Sequence, residues 1–256
     1  MDVISALSEA VPELRNSFYS APVFAGLTQY TLWMVIIFVI VLLVVLQASK
    51  KLALVPDGKF VNMVEYGYEF VCKDIGEGAI GHGYEKHIPF LATLFFFILV
   101  ANFVGLIPGA KAATGTISVT WGLAAISFIY FNYYGIKVRG GWGYIKSIAP
   151  SGLPKPLVPV IWFFELISLI LRVFTLAVRL YGNMFAGHMV LGIFALASTV
   201  FLEGLIQGAG PVGFASIFWF AFLVLMYALE TLVAFLQAYV FTTLSAVYVS
   251  LATSEH

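Results

Sequence analysis

The chain has 256 residues, of which 61% are hydrophobic and 10% charged, and its mean hydropathy is +0.99. Soluble domains average ~25% charged residues and under ~50% apolar ones, so a disordered chain, a soluble enzyme and a nucleic-acid binder are excluded together. Thirteen basic residues balance thirteen acidic ones, and the single Cys72 allows neither an internal disulfide nor a Cys-rich metal site.

The first apolar block, within residues 30–49, contains the uncharged run LWMVIIFVIVLLVVLQA and is long enough to cross the ~30 Å hydrocarbon core as a helix. A cleaved signal peptide would need a basic stretch ahead of a shorter apolar core. Here Asp2, Glu9 and Glu13 precede the block and Lys50 and Lys51 follow it, so it reads as an uncleaved span behind an outer segment, 1–29. Segment 57–87 differs in kind: it holds nine charged residues, yet Phe60, Val64, Val71 and Ile75 recur at helical spacing. This predicts an amphipathic helix on the membrane surface, at least to Ile75, a solvated loop helix being the other reading. The run GEGAIGHG after it reads as a flexible connection, with His82 a loop residue.

Two further spans are expected at 88–107 and 117–136, joined by a short turn whose only charge is Lys111. Behind the breaker APSGLPKPLVP the apolar block 158–200 is some 43 residues long, or ~65 Å as a helix, about twice the hydrocarbon thickness. The last block, 212–251, is almost as long, and a glycine-rich turn (Gly204, Gly208, Gly210, then Pro211) joins the two. The expected fold is an all-α membrane protein in a single membrane domain. It has transmembrane helices, a surface amphipathic helix and a C-terminal hairpin of two long, strongly tilted membrane helices. With the N-terminus outside and the C-terminus cytoplasmic, nine of the thirteen basic residues fall on the inner side and only Arg15 and Lys111 on the outer, as the positive-inside rule requires.

The remaining two, Arg172 and Arg179, lie inside the fourth block. A mid-membrane arginine costs from ~2.5 to more than ~10 kcal/mol depending on the scale, and such residues face a cavity or pathway. At 100° per residue Glu165, Arg172, Arg179 and Asn183 fall within ~40° of one another with Ser168 nearby, while His188 lies on a different side. On the last helix Glu230 and Gln237, seven apart, share a face. In an antiparallel hairpin, residues at one level have position numbers of constant sum. His188 with Glu230 and Arg179 with Gln237 meet that condition together to within about one turn. A buried carboxylate and imidazole at one level form a proton relay or, in the plainer reading, satisfy each other by hydrogen bonding.

The run ELISLILRVFTLAVRLYGNMFAGH, Glu165–His188, and above all RLYGNMFAGH, resembles the signature of subunit a of rotary ATP synthases. The likeness extends to NFVGLIPG (102–109), TISVT (116–120), KPLVP (155–159) and LQAYVFTTLSAVYVS (236–250). It implies the stator of a membrane motor, not catalytic on its own. Its partners would be a ring of c subunits with mid-membrane carboxylates, peripheral-stalk b subunits, the rest of the complex and the lipid bilayer, with no nucleic acid and no cofactor. It also implies that Arg179 faces the ring carboxylates between two aqueous half-channels. Asn183 and Gln237 would flank the arginine, His188 and Glu230 line the outer half-channel, and Glu165 and Ser168 the inner one. The implied location is a bacterial plasma membrane.

Two positions depart from the commonest pattern of that family. An acid often stands where His188 is and a histidine where Glu230 is, an exchange that keeps one of each at the same level. Val173 replaces a frequent proline after Arg172, which leaves the local helix geometry there open. The competing class is a proton-coupled secondary transporter, but no internal repeat marks one. His82, His87, His188 and His256 are scattered, so neither a nucleophile–base pair nor a zinc set is evident.

Overall fold

The structure, a computed structural model, describes residues 22–24, 27–50, 58–107, 109–147, 156–206 and 215–253. The N-terminal segment with Arg15, the 51–57 link, Pro108, the breaker at 148–155 with Lys155, the turn at 207–214 and residues 254–256 lie outside them.

Apart from an antiparallel ribbon of Pro22–Phe24 (β1) with Leu27–Thr28 (β2), the described chain is helical. The long helices are α1 (Gln29–Lys50), α3 (Ile88–Gly105), α4 (Ile117–Arg139), α6 (Val158–Ile206) and α7 (Ala215–Thr253). Two shorter ones are α2 (Lys59–Phe70) and α5 (Gly141–Ser147). The Thr28 hydroxyl accepts from the Thr31 backbone N–H at 3.4 Å, a side-chain cap that starts α1. Pro89 in the first turn starts α3, where a missing N–H has no consequence.

Four helices are long and apolar enough to cross a membrane: Gln29–Gln47 of α1, Ile88–Gly105, Val158–Gly204 of α6 and Ala215–Thr253. The chain is a multi-pass membrane protein. The expected third span, α4, is long enough but does not reach the same apolar content. Two of its polar residues point inward: Thr120 and Ser127 are buried, and Ser127 Oγ donates to Ser245 Oγ of α7 at 2.9 Å. They lower the mean hydropathy of α4 without being offered to lipid.

α6 runs unbroken for 49 residues and α7 for 39, so the hairpin extends beyond 158–200 and 212–251. The two pack along each other, and α7 also packs on α3 and α4. The packed face of α7 is a stripe of small and medium residues (Ala234, Ala238, Ser245, Ala246, Val249, Ala252) that lets helix axes approach closely, which substitutes for the hydrophobic drive absent in lipid. The main core is built around Leu91, Phe95 and Ile98 of α3, Leu123 of α4, Leu176 and Leu180 of α6 and Phe241 of α7. By contrast α1 touches α3 along one narrow line through Ile37 and Val41 and otherwise exposes Leu32, Val35, Phe38 and Leu42.

The surface segment is helical as expected, with one shift of face. Phe60 is exposed, and the inward line runs through Val61, Val71 and Ile75, because Val61 and not Phe60 keeps step with Ile75 on a helix. The expected flexible connection is partly ordered. A π-helical stretch, Val71–Glu77, continues into Gly78–Ile80. Gly76 is there for packing, since a Cβ would collide with the Ile88 side chain and crowd Tyr84.

Candidate functional site

The polar residues of α6 and α7 resolve into three levels along the hairpin. At the α4–α5 end, Arg172 Nη2 lies 3.9 Å from Glu165 Oε2, and its guanidinium sits 5.6 Å from the ring centre of Tyr248 on α7. Two turns of α6 separate the ion pair, so both side chains must extend along the helix surface, burying stems and keeping the charges together. The same end is anchored by α5: Tyr144 Oη donates to Asn132 Oδ1 at 2.9 Å, and Trp162 Nε1 donates to the Ile145 carbonyl at 2.9 Å. Ser168 is half-buried on α6 between Glu165 and Arg172.

Arg179 occupies the middle level and is exposed. Leu176 and Leu180 on one flank of it are buried in the core, whereas Leu171 and Val178 on the other are exposed. The guanidinium therefore emerges at the edge of an apolar outer surface. Among the described residues it makes no ion pair. Asn183, one turn on, donates Nδ2–H to Gln237 Oε1 at 2.8 Å. The hairpin thus brings Gln237 to Asn183, one turn from the Arg179 level expected. Gln237 is buried, and its own Nε2 has no hydrogen-bond partner among the described residues.

At the third level Glu230 is only 5% exposed. Its carboxylate lies against the α6 backbone at Gly187, where any Cβ would collide with it. His188 turns the other way, toward α3, with Nε2 3.0 Å from the position a Cβ would take on Gly105. The two residues sit at one level, but the hydrogen bond of the plainer reading is not formed: Glu230 Oε1 and His188 Nε2 are both buried without a partner among the described residues. Unpaired buried polar atoms are costly to keep. His188 also lines a cavity of about 210 Å³ together with Tyr30, Gly105, Lys111, Phe185 and Tyr227. Burial lowers the pKa of Lys111 in the cavity wall.

Sequence reasoning did not single out the polar lock beside this cavity. Asn102, fully buried on α3, donates Nδ2–H to the Ala234 carbonyl of α7 at 3.1 Å and accepts from Thr114 Oγ1 at 2.7 Å. It ties the loop carrying Lys111 to α7 between Glu230 and Gln237. The signal was a lone Asn and Thr within apolar runs, too common in membrane helices to stand out.

A sequence model of the family described as ATP synthase A chain matches residues 30–250. The chain belongs to this family. Relatives include ATP synthase subunit a of a Nocardioides species, 38% identical over 90% of this chain and 83% of the relative. That of a Methylobacterium species is 40% identical over 87% and 86%. ATP synthase subunit a 2 of Chlorobaculum tepidum is 36% identical over 88% of this chain, which spans only 62% of that longer relative. No set of three or more His, Cys, Asp or Glu able to hold a metal occurs among the described residues.

Proposed function

We propose that this chain is the stator subunit of an ATP synthase membrane motor. It forms two aqueous half-channels that carry protons to and from carboxylates on a rotating c-ring, and it joins the peripheral-stalk b subunits in a bacterial plasma membrane. The carrying observation is Arg179: a cation without an ion-pair partner among the described residues, at the rim of an apolar face of a 49-residue helix. A carboxylate arriving from outside the chain would meet that charge in its deprotonated form, because an adjacent guanidinium favours the ionised acid. The same charge opposes direct passage of a proton between the two ends of the hairpin.

In this reading His188 and Glu230 serve the outer route, His188 from the wall of the cavity and Glu230 behind it. Asn183 and Gln237 hold the helices together beside the arginine. Glu165, Ser168 and Arg172 line the inner route. The test is ATP-driven proton pumping in membrane vesicles. Arg179→Ala is expected to abolish it, and Arg179→Lys to restore little, because a compact ammonium lacks the spread, permanently charged guanidinium. Near-normal pumping by Arg179→Ala would overturn the proposal, as would failure of the chain to co-purify with a c-ring.

A further inference from the structure

Tyr144, at the centre of the short helix α5, is buried. Its ring fills the space over Gly135 of α4, where any Cβ would collide with it, and its hydroxyl donates to Asn132 Oδ1 of the same helix at 2.9 Å. The ring also belongs to a cluster with Phe131 of α4 and Val249 and Ala252 of α7, against which Leu169 of α6 and Tyr248 of α7 pack. From α6, Trp162 Nε1 donates to the Ile145 carbonyl of α5 at 2.9 Å. α5 is thus tied to α4 and α6 and wedged against α7.

The wedge leads to an arginine in two steps. Phe131 packs on Tyr248, ring centres 5.8 Å apart, and the Tyr248 ring centre lies 5.6 Å from the Arg172 guanidinium. The Arg172–Glu165 ion pair holds the guanidinium only loosely, being 3.9 Å long between two partly exposed side chains. A cation over an aromatic ring keeps its place only as long as the ring keeps its own. The amide pair that registers α6 on α7, Asn183–Gln237, lies about three turns of α6 from Arg172, so the position of Tyr248 against α6 is set locally, by the cluster that Tyr144 completes. Burial raises the pKa of the Tyr144 hydroxyl, and Arg139 and Arg172 both act against that rise.

We infer that Tyr144 is a positioning residue for Arg172, acting through Phe131 and Tyr248, and that α5 is the brace of the inner route. The inference rests on the reading of Glu165, Ser168 and Arg172 as the lining of that route. A smaller side chain at Tyr144 leaves a void beside Phe131. Tyr248 relaxes toward it, and the guanidinium loses its ring while every charge stays in the chain.

The experiment is a double-mutant cycle in the intact complex, read as ATP-driven proton pumping in membrane vesicles, with inhibitor-sensitive ATP hydrolysis reporting assembly. Arg172→Gln and Tyr144→Leu are each expected to lower pumping about fivefold, and Tyr144→Phe, which keeps the ring, to retain at least about half of it. Tyr144→Leu combined with Arg172→Gln should lose little more than Arg172→Gln alone, because the brace then has no guanidinium to place. If Tyr144 only stabilises the fold, the two losses multiply to about 25-fold. That result would overturn the inference, as would full pumping in Tyr144→Leu. Should Tyr144→Leu fail to assemble, Tyr144→Met and Gly135→Ala, which crowds the ring without removing it, carry the same cycle. The two failures are distinct: multiplied losses beside a defective Arg172→Gln refute the positioning alone, whereas full pumping in Arg172→Gln refutes the reading of the inner route and the inference with it.

Discussion

Single residues in this hairpin act by what they lack as much as by what they carry. Gly187 has no side chain, and the Glu230 carboxylate occupies the space where one would be. Gly187→Ala forces the carboxylate aside without changing any charge. Proton pumping is expected to fall about tenfold or more while the complex still assembles, since a misplacement near 1 Å at a transfer site has effects of that size. Gly187→Ala combined with Glu230→Asp, a shorter acid, should recover part of the loss. Unchanged pumping in Gly187→Ala would mean that the acid does not work from this position. The contrast explains what was legible at this scale. Arg179, Glu230 and Gln237 stand out in sequence because charge and amide are rare in apolar helices. Gly187, Gly105 and Asn102 do not, because their roles exist only once a second helix is beside them.

Between helices, the register of α6 on α7 is set by one amide pair and one close approach. The Asn183–Gln237 bond joins residues 54 apart in sequence. Replacing each with Ala, singly and together, should give a coupling of roughly 0.5–1.5 kcal/mol in unfolding of the subunit in mixed detergent, and strictly additive losses would mean the pair does not meet. Periodicity alone came within one turn of this register, which is its limit, since wheel geometry fixes faces but not axial slides. At the start of α3 a second contact titrates. His87 Nδ1 lies 3.0 Å from Tyr130 Oη of α4, and the ring packs edge-on against Tyr134. Burial, with a smaller contribution from Lys86, lowers the His87 pKa. A histidine whose folded pKa lies below its unfolded value stabilises the fold above the unfolded value, ~6.5, and loses that contribution as pH falls below it. Thermal stability of the wild type should therefore drop more steeply than that of His87→Gln between about pH 7 and 5. Parallel profiles would remove His87 from the contact's energetics.

For the whole molecule, composition alone was enough to see four membrane-crossing helices, because each combines sufficient length with a predominantly apolar composition. α4 is the exception, and the topology depends on it. If α4 crosses, the α3–α4 turn with Lys111 lies outside and α5 lies inside, and the basic residues Lys137, Arg139 and Lys146 gather on the cytoplasmic face. If it does not, both ends of α4 lie on one side and the charge asymmetry collapses. The burial of Thr120 and Ser127 against the bundle favours crossing, since most of the large outward residues of α4 (Ile117, Trp121, Ile126, Ile129, Ile136) are apolar. Two exposed positions bracket the helix: Ile107 before it and Lys146 after it. In a Cys72→Ser background, Ile107→Cys should react with a membrane-impermeant maleimide in intact cells and Lys146→Cys only in inverted vesicles. Both variants change a side chain that makes no core contact, so expression is expected to survive. Labelling of both from the same side would show that α4 stays within one face of the membrane, and the outer cavity, the orientation of the hairpin and the direction assigned to each proton route would all have to be redrawn.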